Sequence, residues 1–456
     1  MNSKRKPGPD DLWFLPLGGC GEIGMNLNLI GHNSEWLMVD CGINITSSPV
    51  PNAQPLIEIP NTEFIDQQKN TLQGILVTHA HEDHFGAISS LWTRWRCPIY
   101  ASAFTLSVIR RKALIRGLAV PENLVEIQIG STNQYGSFSV IWHPITHSTP
   151  ENCGLEITTG AGKIFHSGDW KIDKSPQIGK PFKSKRFAAI GQRGVDAFIC
   201  DSTNAQEPGN SLSESEVEPT VKRILSHEKG RVIVGCFSSN IARINTIAKI
   251  ATESGRYVGL LGRSLAVMVD CAKERGYFDL SIKWIDSQHI GYLPRDEVLV
   301  FATGSQGEQG AALTKLAVDL HPAMALDAGD AVIFSSSIIP GNEVVIERLF
   351  LKFEKLGIHV FHPGNVDSTL HVSGHPCEND LRQMYQLICP NVVIPVHGEE
   401  VHLGTNADIA LSCGVNKALL GLNGDLFCIS PEPRVIKGFA NTGRLPLPDR
   451  RNNNDT

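Results

Sequence analysis

Over the first 200 residues, short apolar runs alternate with turn signals. DLWFLPLGG (11–19), MNLNLIGH (25–32), EWLMVDCG (35–42), LQGILVTH (72–79), FSVIWHPIT (138–146), GLEITTGAG (154–162), KIFHSGD (163–169) and DAFICD (196–201) each read as a strand. Helical patterns are fewer, the clearest being HFGAISSLWTRW (84–95) and TLSVIRRKALIRG (105–117). Strand runs with helices beside them predict a layered α/β sandwich rather than simple βαβ winding. Between 211 and 367 the rhythm changes: RVIVGCF (231–237), YVGLLG (257–262), EVLVFATG (297–304) and AVIFSSSIIP (331–340) each precede a helical run. Repeated strand–helix alternation predicts an open parallel sheet with right-handed crossovers. Short strands return after 368, in NVVIPVH (391–397) and KALLGLNGDLFCIS (417–430). The chain thus reads as a strand-rich domain (1–210 and 368–447) interrupted by a doubly wound insert (211–367), with a polar tail (448–456) expected to be disordered.

The most concentrated chemistry is VTHAHEDHFG, which sets His79, His81, Asp83 and His84 at the end of a predicted strand. Four ligand-type side chains this close cannot all be buried unpaired. On a tight loop His79 and His81 can face one metal while Asp83 and His84 face a second. Imidazole with carboxylate suits zinc or manganese rather than calcium. Two metals need further ligands, and His147 in PITHSTPE, Asp169 in FHSGDWKID and His397 in IPVHGEE each lie just past an apolar run. Asp169 is of a type that can bridge two cations. His143 and His166 compete as neighbours, and position alone does not choose between them.

Glycine-rich stretches need separate readings. GGCGEIG (18–24) contains G-x-G-x-x-G but precedes a strand pattern, so it reads as a turn and not a dinucleotide site. The insert strands end in SSN (238–240), GRS (262–264), TGSQGE (303–308) and SSSIIPGNE (335–343), each opening a helix. Backbone N–H groups and dipoles there favour anions, and together with Arg263 they point to a phosphate-rich ligand. LHVSGHPCEND (370–380) has the same character and lies where the insert hands back to the first domain.

Charge and composition narrow the function classes. With 41 Lys and Arg against 47 Asp and Glu, the 456-residue chain carries −6, which excludes a globally basic nucleic-acid coat. Contact with a polyanion falls to local patches: Arg94, Arg96, Arg110, Arg111, Lys112 and Arg116 within 92–117, and seven Lys or Arg within 163–186. No apolar stretch is long enough to span a membrane and MNSKRKPGPDD leads into no apolar core, so neither a membrane span nor a signal peptide is expected. Eleven scattered cysteines without a CxxC spacing suit reduced thiols in a cytoplasmic protein.

Taken together, HAHEDH, His147, Asp169 and a Rossmann-like insert before IPVHGE resemble a metallo-β-lactamase-fold nuclease of the β-CASP group. GGCGEIGMN, HSGDWKID, CDSTN, SSNIARI, GRS, TGSQGE, PGNE, HVSGH and VHGE resemble bacterial and archaeal ribonuclease J, over nearly the whole chain. The resemblance implies a metallo-β-lactamase αββα sandwich interrupted by a parallel α/β β-CASP domain. It implies a metal-dependent ribonuclease acting 5′→3′ on 5′-monophosphate RNA ends, with internal cleavage also open. It assigns one metal to His79, His81 and His147 and a second to Asp83, His84 and His397, with Asp169 bridging. Zinc leads and manganese is the alternative. Asp40 in LMVDCG would support the ligands, while Asp201 in CDSTN and His375 would move protons. Ser238, Ser239 and Asn240, with His371, Val372, Ser373, Gly374 and His375, would hold substrate phosphate. The sequence stops soon after GRLPLPDR, where longer relatives continue into a C-terminal domain, which argues against the family's usual oligomeric assembly, although a homodimer stays among the expected partners.

Rival readings differ in what they need. A small-molecule hydrolase of the same superfamily has no use for the insert. A DNA nuclease is closer, since no residue visibly selects a 2′-hydroxyl. A non-catalytic RNA-binding subunit would be expected to have lost ligands, and here all seven candidates stand.

Overall fold

The computed structural model describes residues 6–46, 56–339 and 341–447. The tail 448–456 and Pro340 of the SSSIIPGNE loop lie outside the described residues.

Two mixed sheets stack face to face. The first runs, in spatial order, Arg434–Ile436, Leu426–Ser430, Leu12–Gly18, Leu27–His32, Glu35–Val39, Leu72–Leu76, Ile99–Ala101 and Leu124–Glu126. The second runs Lys417–Ala418, Val392–Val396, Ala197–Asp201, Gly162–His166, Cys153–Thr159, Phe138–Pro144 and Thr132–Tyr135. Because strand side chains alternate between faces, Leu12 and Phe14 enter the core between the sheets, with Trp142, Ile157 and Ile199 opposite. Trp13, Leu15 and Leu17 of the same strand face the outer layer, with the helices Ile88–Trp95 and Ala103–Ile115. Helices Ser184–Gln192, Glu378–Ile388 and Glu400–Ser412 cover the far side of the second sheet. Both faces of both sheets are therefore buried, giving the expected αββα sandwich.

Between the strands Ala197–Asp201 and Val392–Val396 the chain builds a third sheet, entirely parallel: Tyr257–Leu261, Val298–Ala302, Val232–Gly235, Ala331–Phe334 and His359–Phe361. Four of these strands follow the predicted runs. The fifth, His359–Phe361, is a three-residue edge strand without a fully buried position, so it offers no apolar run to read. Two other expectations need correction. HFGAISSLWTRW is not one helix: Glu82–Phe85 and Ile88–Trp95 are separated at Gly86, where a Cβ would lie 2.5 Å from the Glu82 carbonyl oxygen. KALLGLNGDLFCIS is not one strand either, since only Lys417–Ala418 and Leu426–Ser430 pair, on different sheets. No described helix is long and apolar enough to cross a membrane.

Trp142 is fully buried between the sheets and its Nε1 donates to Tyr135 at 3.2 Å. Trp142→Ala should destabilise the sandwich by about 3–5 kcal/mol, read as a lower urea midpoint; an unchanged midpoint would contradict this core assignment.

Candidate metal centre

Mixed sheets gather chemistry where their co-directional strands end. Asp40 follows Glu35–Val39, His79 and His81 follow Leu72–Leu76, His147 follows Phe138–Pro144, and Asp169 follows Gly162–His166. Asp201 closes Ala197–Asp201 and His397 follows Val392–Val396. Stacking the two sheets brings these ends to one edge. Asp40 and His397 both turn there with left-handed backbones, at φ 64° and 55°. That conformation is costly for residues other than glycine and persists only where the surroundings enforce it.

Asp169, 2% exposed, sits at the middle. Its Oδ2 lies 3.2 Å from His84 Nε2, 3.7 Å from His147 Nε2 and 3.8 Å from His79 Nε2, and its Oδ1 lies 3.7 Å from His397 Nε2. Asp83 Oδ2 is 3.3 Å from His397 Nε2 and 3.5 Å from His84 Nε2. Three groups of donors have their ligand atoms within 4.8 Å of one another: His79–His81–His147–Asp169, Asp83–His84–Asp169–His397, and Asp201–His375–His397, which shares His397 with the second. The competitors separate here. His143 pairs with Glu156 at 2.8 Å and His166 Nδ1 accepts from the Gly168 amide at 3.1 Å; neither joins a group.

The ring orientations fit cation binding. His79 Nε2 is buried without a hydrogen-bond partner, an arrangement expected of a nitrogen reserved for a metal. Its Nδ1 meets Thr78 Oγ1 at 2.9 Å, and that hydroxyl donates to Asp40 Oδ2 at 2.9 Å. Asp40 Oδ2 also takes His84 Nδ1 at 2.7 Å. His147 Nδ1 is held by the Gly374 carbonyl at 2.7 Å, and His397 Nδ1 by Thr203 Oγ1 at 2.6 Å, with Thr203 donating to Asp201 Oδ1 at 2.7 Å. Four rings thus turn Nε2 inward because Nδ1 is anchored. His81 is reversed: Nδ1 lies 3.1 Å from His147 Nε2 and Nε2 lies 3.4 Å from Ser148 Oγ.

Electrostatics follow the same division. Burial, followed by crowding from other imidazoles, holds His79 and His147 well below the usual histidine range, and burial lowers His81 to about 4. Neutral rings of this kind are the metal-binding form. Burial also opposes charge on His84 and His397, yet Asp169 and the neighbouring carboxylates outweigh it, keeping His84 well above its ordinary value and His397 up at about 9. Burial would raise Asp169, but His397 and His84 hold it well below the carboxylate range. Five imidazoles and two carboxylates, mostly buried and mutually compensating, fit a pair of divalent cations.

Residues 229–352 match the family model described as the ribonuclease J β-CASP domain, 35–196 match the β-lactamase superfamily domain, and 364–409 match a domain described as the Zn-dependent metallo-hydrolase RNA specificity domain. The chain is 39% identical to ribonuclease J of Sinorhizobium meliloti over 440 residues, covering 96% of this chain and 77% of that protein. The chain belongs to the ribonuclease J family. Ribonuclease J of Mycolicibacterium smegmatis is 36% identical over 441 residues, covering 96% of this chain and 78% of its own length. A crystal structure of a protein of unknown function from Enterococcus faecalis shares the fold, with a TM-score of 0.63 at 15% identity over 92% of this chain and all of the other.

For this ribonuclease J family member, the structure also locates the remaining sequence-selected residues. His375 Nδ1 meets Asp201 Oδ2 at 2.8 Å. Ser373 Oγ accepts from Asn204 Nδ2 at 2.8 Å and from the His375 amide at 3.2 Å. Ser238 Oγ lies 3.2 Å from Ser264 Oγ, and Ser239 is half-buried beside it. Asn240 is buried, its Oδ1 capping the helix Ile241–Glu253 by accepting from the Arg243 amide at 3.0 Å. Val372 is buried, and its carbonyl accepts from Arg243 Nη2 at 3.2 Å.

Thr78, Thr203 and Asn26 do not stand out in the sequence; Asn26 Nδ2 lies 3.0 Å from His84 Nε2. The signal available for the threonines is their place beside ligand-bearing motifs, in VTHAHEDH and CDSTN. The GGCGEIG turn takes part too, because the Gly19 carbonyl accepts from the His397 amide at 2.6 Å.

Thr203→Val keeps the side-chain volume but removes the anchor of His397. It should weaken divalent-cation binding about 10–100-fold in calorimetric titration, with Thr203→Ser close to wild type. Equal affinities for all three proteins would show that the hydroxyl has no such part.

Proposed function

We propose that the protein is a metal-dependent ribonuclease that hydrolyses RNA phosphodiester bonds, acting 5′→3′ from 5′-monophosphate ends and able to cut internally. What carries the reading is the meeting at one sheet edge of the paired His/Asp groups with the 371–375 segment returning from the parallel insert, joined by the His147–Gly374 and Asp201–His375 hydrogen bonds. Family membership and the match to an RNA specificity domain support RNA as the substrate.

In this reading His79, His81 and His147 hold one cation, Asp83, His84 and His397 hold the other, and Asp169 serves both. Zinc is favoured by the imidazole majority and by the zinc-dependent family description, with manganese the alternative. When bound, the cations supply Lewis acidity at the phosphodiester and a nucleophile at neutral pH. Asp201 accepts a hydrogen bond from His375 Nδ1–H and fixes the ring as an imidazolium, whose Nε2–H protonates the departing 3′-oxygen and leaves a neutral imidazole. Ser238, Ser239 and the 371–375 segment hold phosphate, while Asn240 preserves the helix start behind them. A 5′-monophosphate seated there sets the cut close to the RNA end. Eleven free cysteines, eight of them buried, fit a reducing, cytoplasmic setting.

Of the two basic stretches, the second keeps more charge available to a polyanion, since in the first only Arg96 and Arg110 are exposed without an ion pair among the described residues. In 92–117, Arg94, Arg111, Lys112 and Arg116 are tied to Asp66, Glu274 and Glu82. In 163–186, Lys174, Lys180, Lys183 and Lys185 are exposed and make no ion pair among the described residues, and 174–192 contains no acid. These lysines lie just beyond Asp169 in the chain and suit the RNA backbone downstream of the cut. Reversing Lys180, Lys183 and Lys185 to Glu should raise KM for long RNA while sparing a dinucleotide. The salt dependence should flatten by about 0.7 in slope for each RNA phosphate that a lysine no longer neutralises. Unaltered KM and slope would remove this surface from the RNA path.

The principal test compares one 5′-labelled RNA as monophosphate and as triphosphate, with and without chelator. Labelled mononucleotide from the monophosphate alone, and only with metal, is the expected result. Internal fragments from both would keep the nuclease and discard the end preference. No cleavage of RNA by metal-loaded protein would reject the reading and turn attention to DNA. His375→Ala should lower kcat about 10²–10⁴-fold with cation content unchanged; full activity, or parallel metal loss, would reject its role.

A further inference from the structure

Arg243 lies in the insert helix Ile241–Glu253, and at 1% exposure its guanidinium is sealed inside protein. A buried guanidinium is tolerated only when its charge and its donors are matched. Nε and Nη2 fork onto Glu214 Oε1 and Oε2 at 2.7 and 2.8 Å. Nη1 donates to the Ser335 carbonyl at 2.9 Å and to His371 Nδ1 at 2.7 Å, and Nη2 also reaches the Val372 carbonyl at 3.2 Å. One side chain therefore ties together the entry to the insert, the end of a central insert strand and the returning segment that leads to His375.

Its hydrogen bond to His371 has a single chemical sense. Guanidinium has no acceptor, so Nδ1 presents a lone pair, and a neutral ring accepting at Nδ1 carries its proton on Nε2. Beside Arg243 the ring also meets the Ser335 backbone, and it is only half-buried. We propose that Arg243 is a positioning residue that locks His371 as a neutral imidazole protonated on Nε2, so that the ring donates a hydrogen bond to a substrate phosphate. The substrate half of this rests on reading 371–375 as a phosphate-holding segment.

The surrounding charges agree with the geometry. Burial and then the Arg243 charge push His371 down to about 3, with Lys171 acting the same way and the Ser335 backbone opposing. Glu214 is engaged by Arg243, and Asp173 lies 3.5 Å from Lys171, so neither carboxylate is left to charge the ring. Because Glu214 balances Arg243, the device contributes orientation rather than net positive charge. The donor is consequently the same across about pH 5–8, where an ordinary histidine would change state.

The decisive measurement is ¹⁵N NMR of the histidine-labelled full chain, with His371 assigned by the resonance that disappears in His371→Gln. A neutral Nε2–H pattern that does not titrate between about pH 5 and 8 is expected. An Nδ1–H pattern, or titration near the usual value of about 6.5, overturns the proposal. Arg243→Lys keeps the charge but not the fork. It should free the tautomer and raise KM for a 5′-phosphorylated RNA oligonucleotide about 10-fold or more, with kcat and cation content changed less. His371→Gln, whose amide N–H can stand in for Nε2–H, should lose less affinity than His371→Leu. A folded Arg243→Lys with wild-type tautomer and KM also overturns it. Should that variant not fold, the wild-type spectrum still decides. Should wild-type protein neither bind nor cleave RNA, the functional reading falls while the spectrum still reports on the lock.

Discussion

Desolvation of Asp169 is the constraint around which the rest is arranged. A carboxylate this deeply buried keeps its charge only if cationic or donor groups surround it, since isolated burial costs several kcal/mol. The imidazoles of His79, His84, His147 and His397 do so from 3.2 to 3.8 Å, and each is itself buried and needs an anchor on its far nitrogen. That demand recruits Thr78 and Asp40 on one sheet and Thr203 and Asp201 on the other. The left-handed turns at Asp40 and His397 are the backbone cost of delivering these groups to one point. Both threonines act alike, accepting from a ring N–H and donating to an aspartate, so the two sheets meet with the same device at opposite walls.

Much of the fold was legible because its strands are short, apolar and punctuated by turn residues, and because the insert alternates strand with helix. What escaped has physical reasons. The edge strand His359–Phe361 is half-exposed and draws its stability from pairing with Ala331–Phe334, an association that no local pattern encodes. The break at Gly86 keeps helical backbone geometry, so apolar periodicity runs straight through it. In the site, HAHEDH was legible because four ligand types crowd six positions. His143, His147 and His166 could not be ranked without the sheets, since whether a histidine reaches the shared edge depends on where its strand ends relative to strands far away in sequence. Thr78, Thr203 and Arg243 were illegible for another reason: hydroxyls and helix arginines are common, and only the partner they meet distinguishes them.

The insert is more than an attachment to the sandwich. Arg243 ties the insert helix Ile241–Glu253 to the returning segment, Lys112 donates to Ser264 at 2.8 Å across the other side, and Tyr277 meets Glu151 near the His147 loop. The Gly374 carbonyl is the most direct coupling to the ligand-type residues, because one peptide both belongs to the phosphate-facing segment and anchors the His147 ring. A displacement of that segment is therefore felt at His147 without any intervening side chain.

The chain order of the donors carries a consequence for biosynthesis. His79, His81, His147 and Asp169 all precede the insert, whereas His397 follows it, 228 residues after Asp169. At about 5–20 residues per second, translation separates the two by roughly 10–45 s. From its own synthesis until that of Val392–Val396, the strand Ala197–Asp201 lacks this neighbour, leaving an open edge on the nascent second sheet, made of residues that the finished fold buries. The donors of one group are thus all present in the growing polypeptide while the other still lacks His397, which arrives just past the strand that seals the edge.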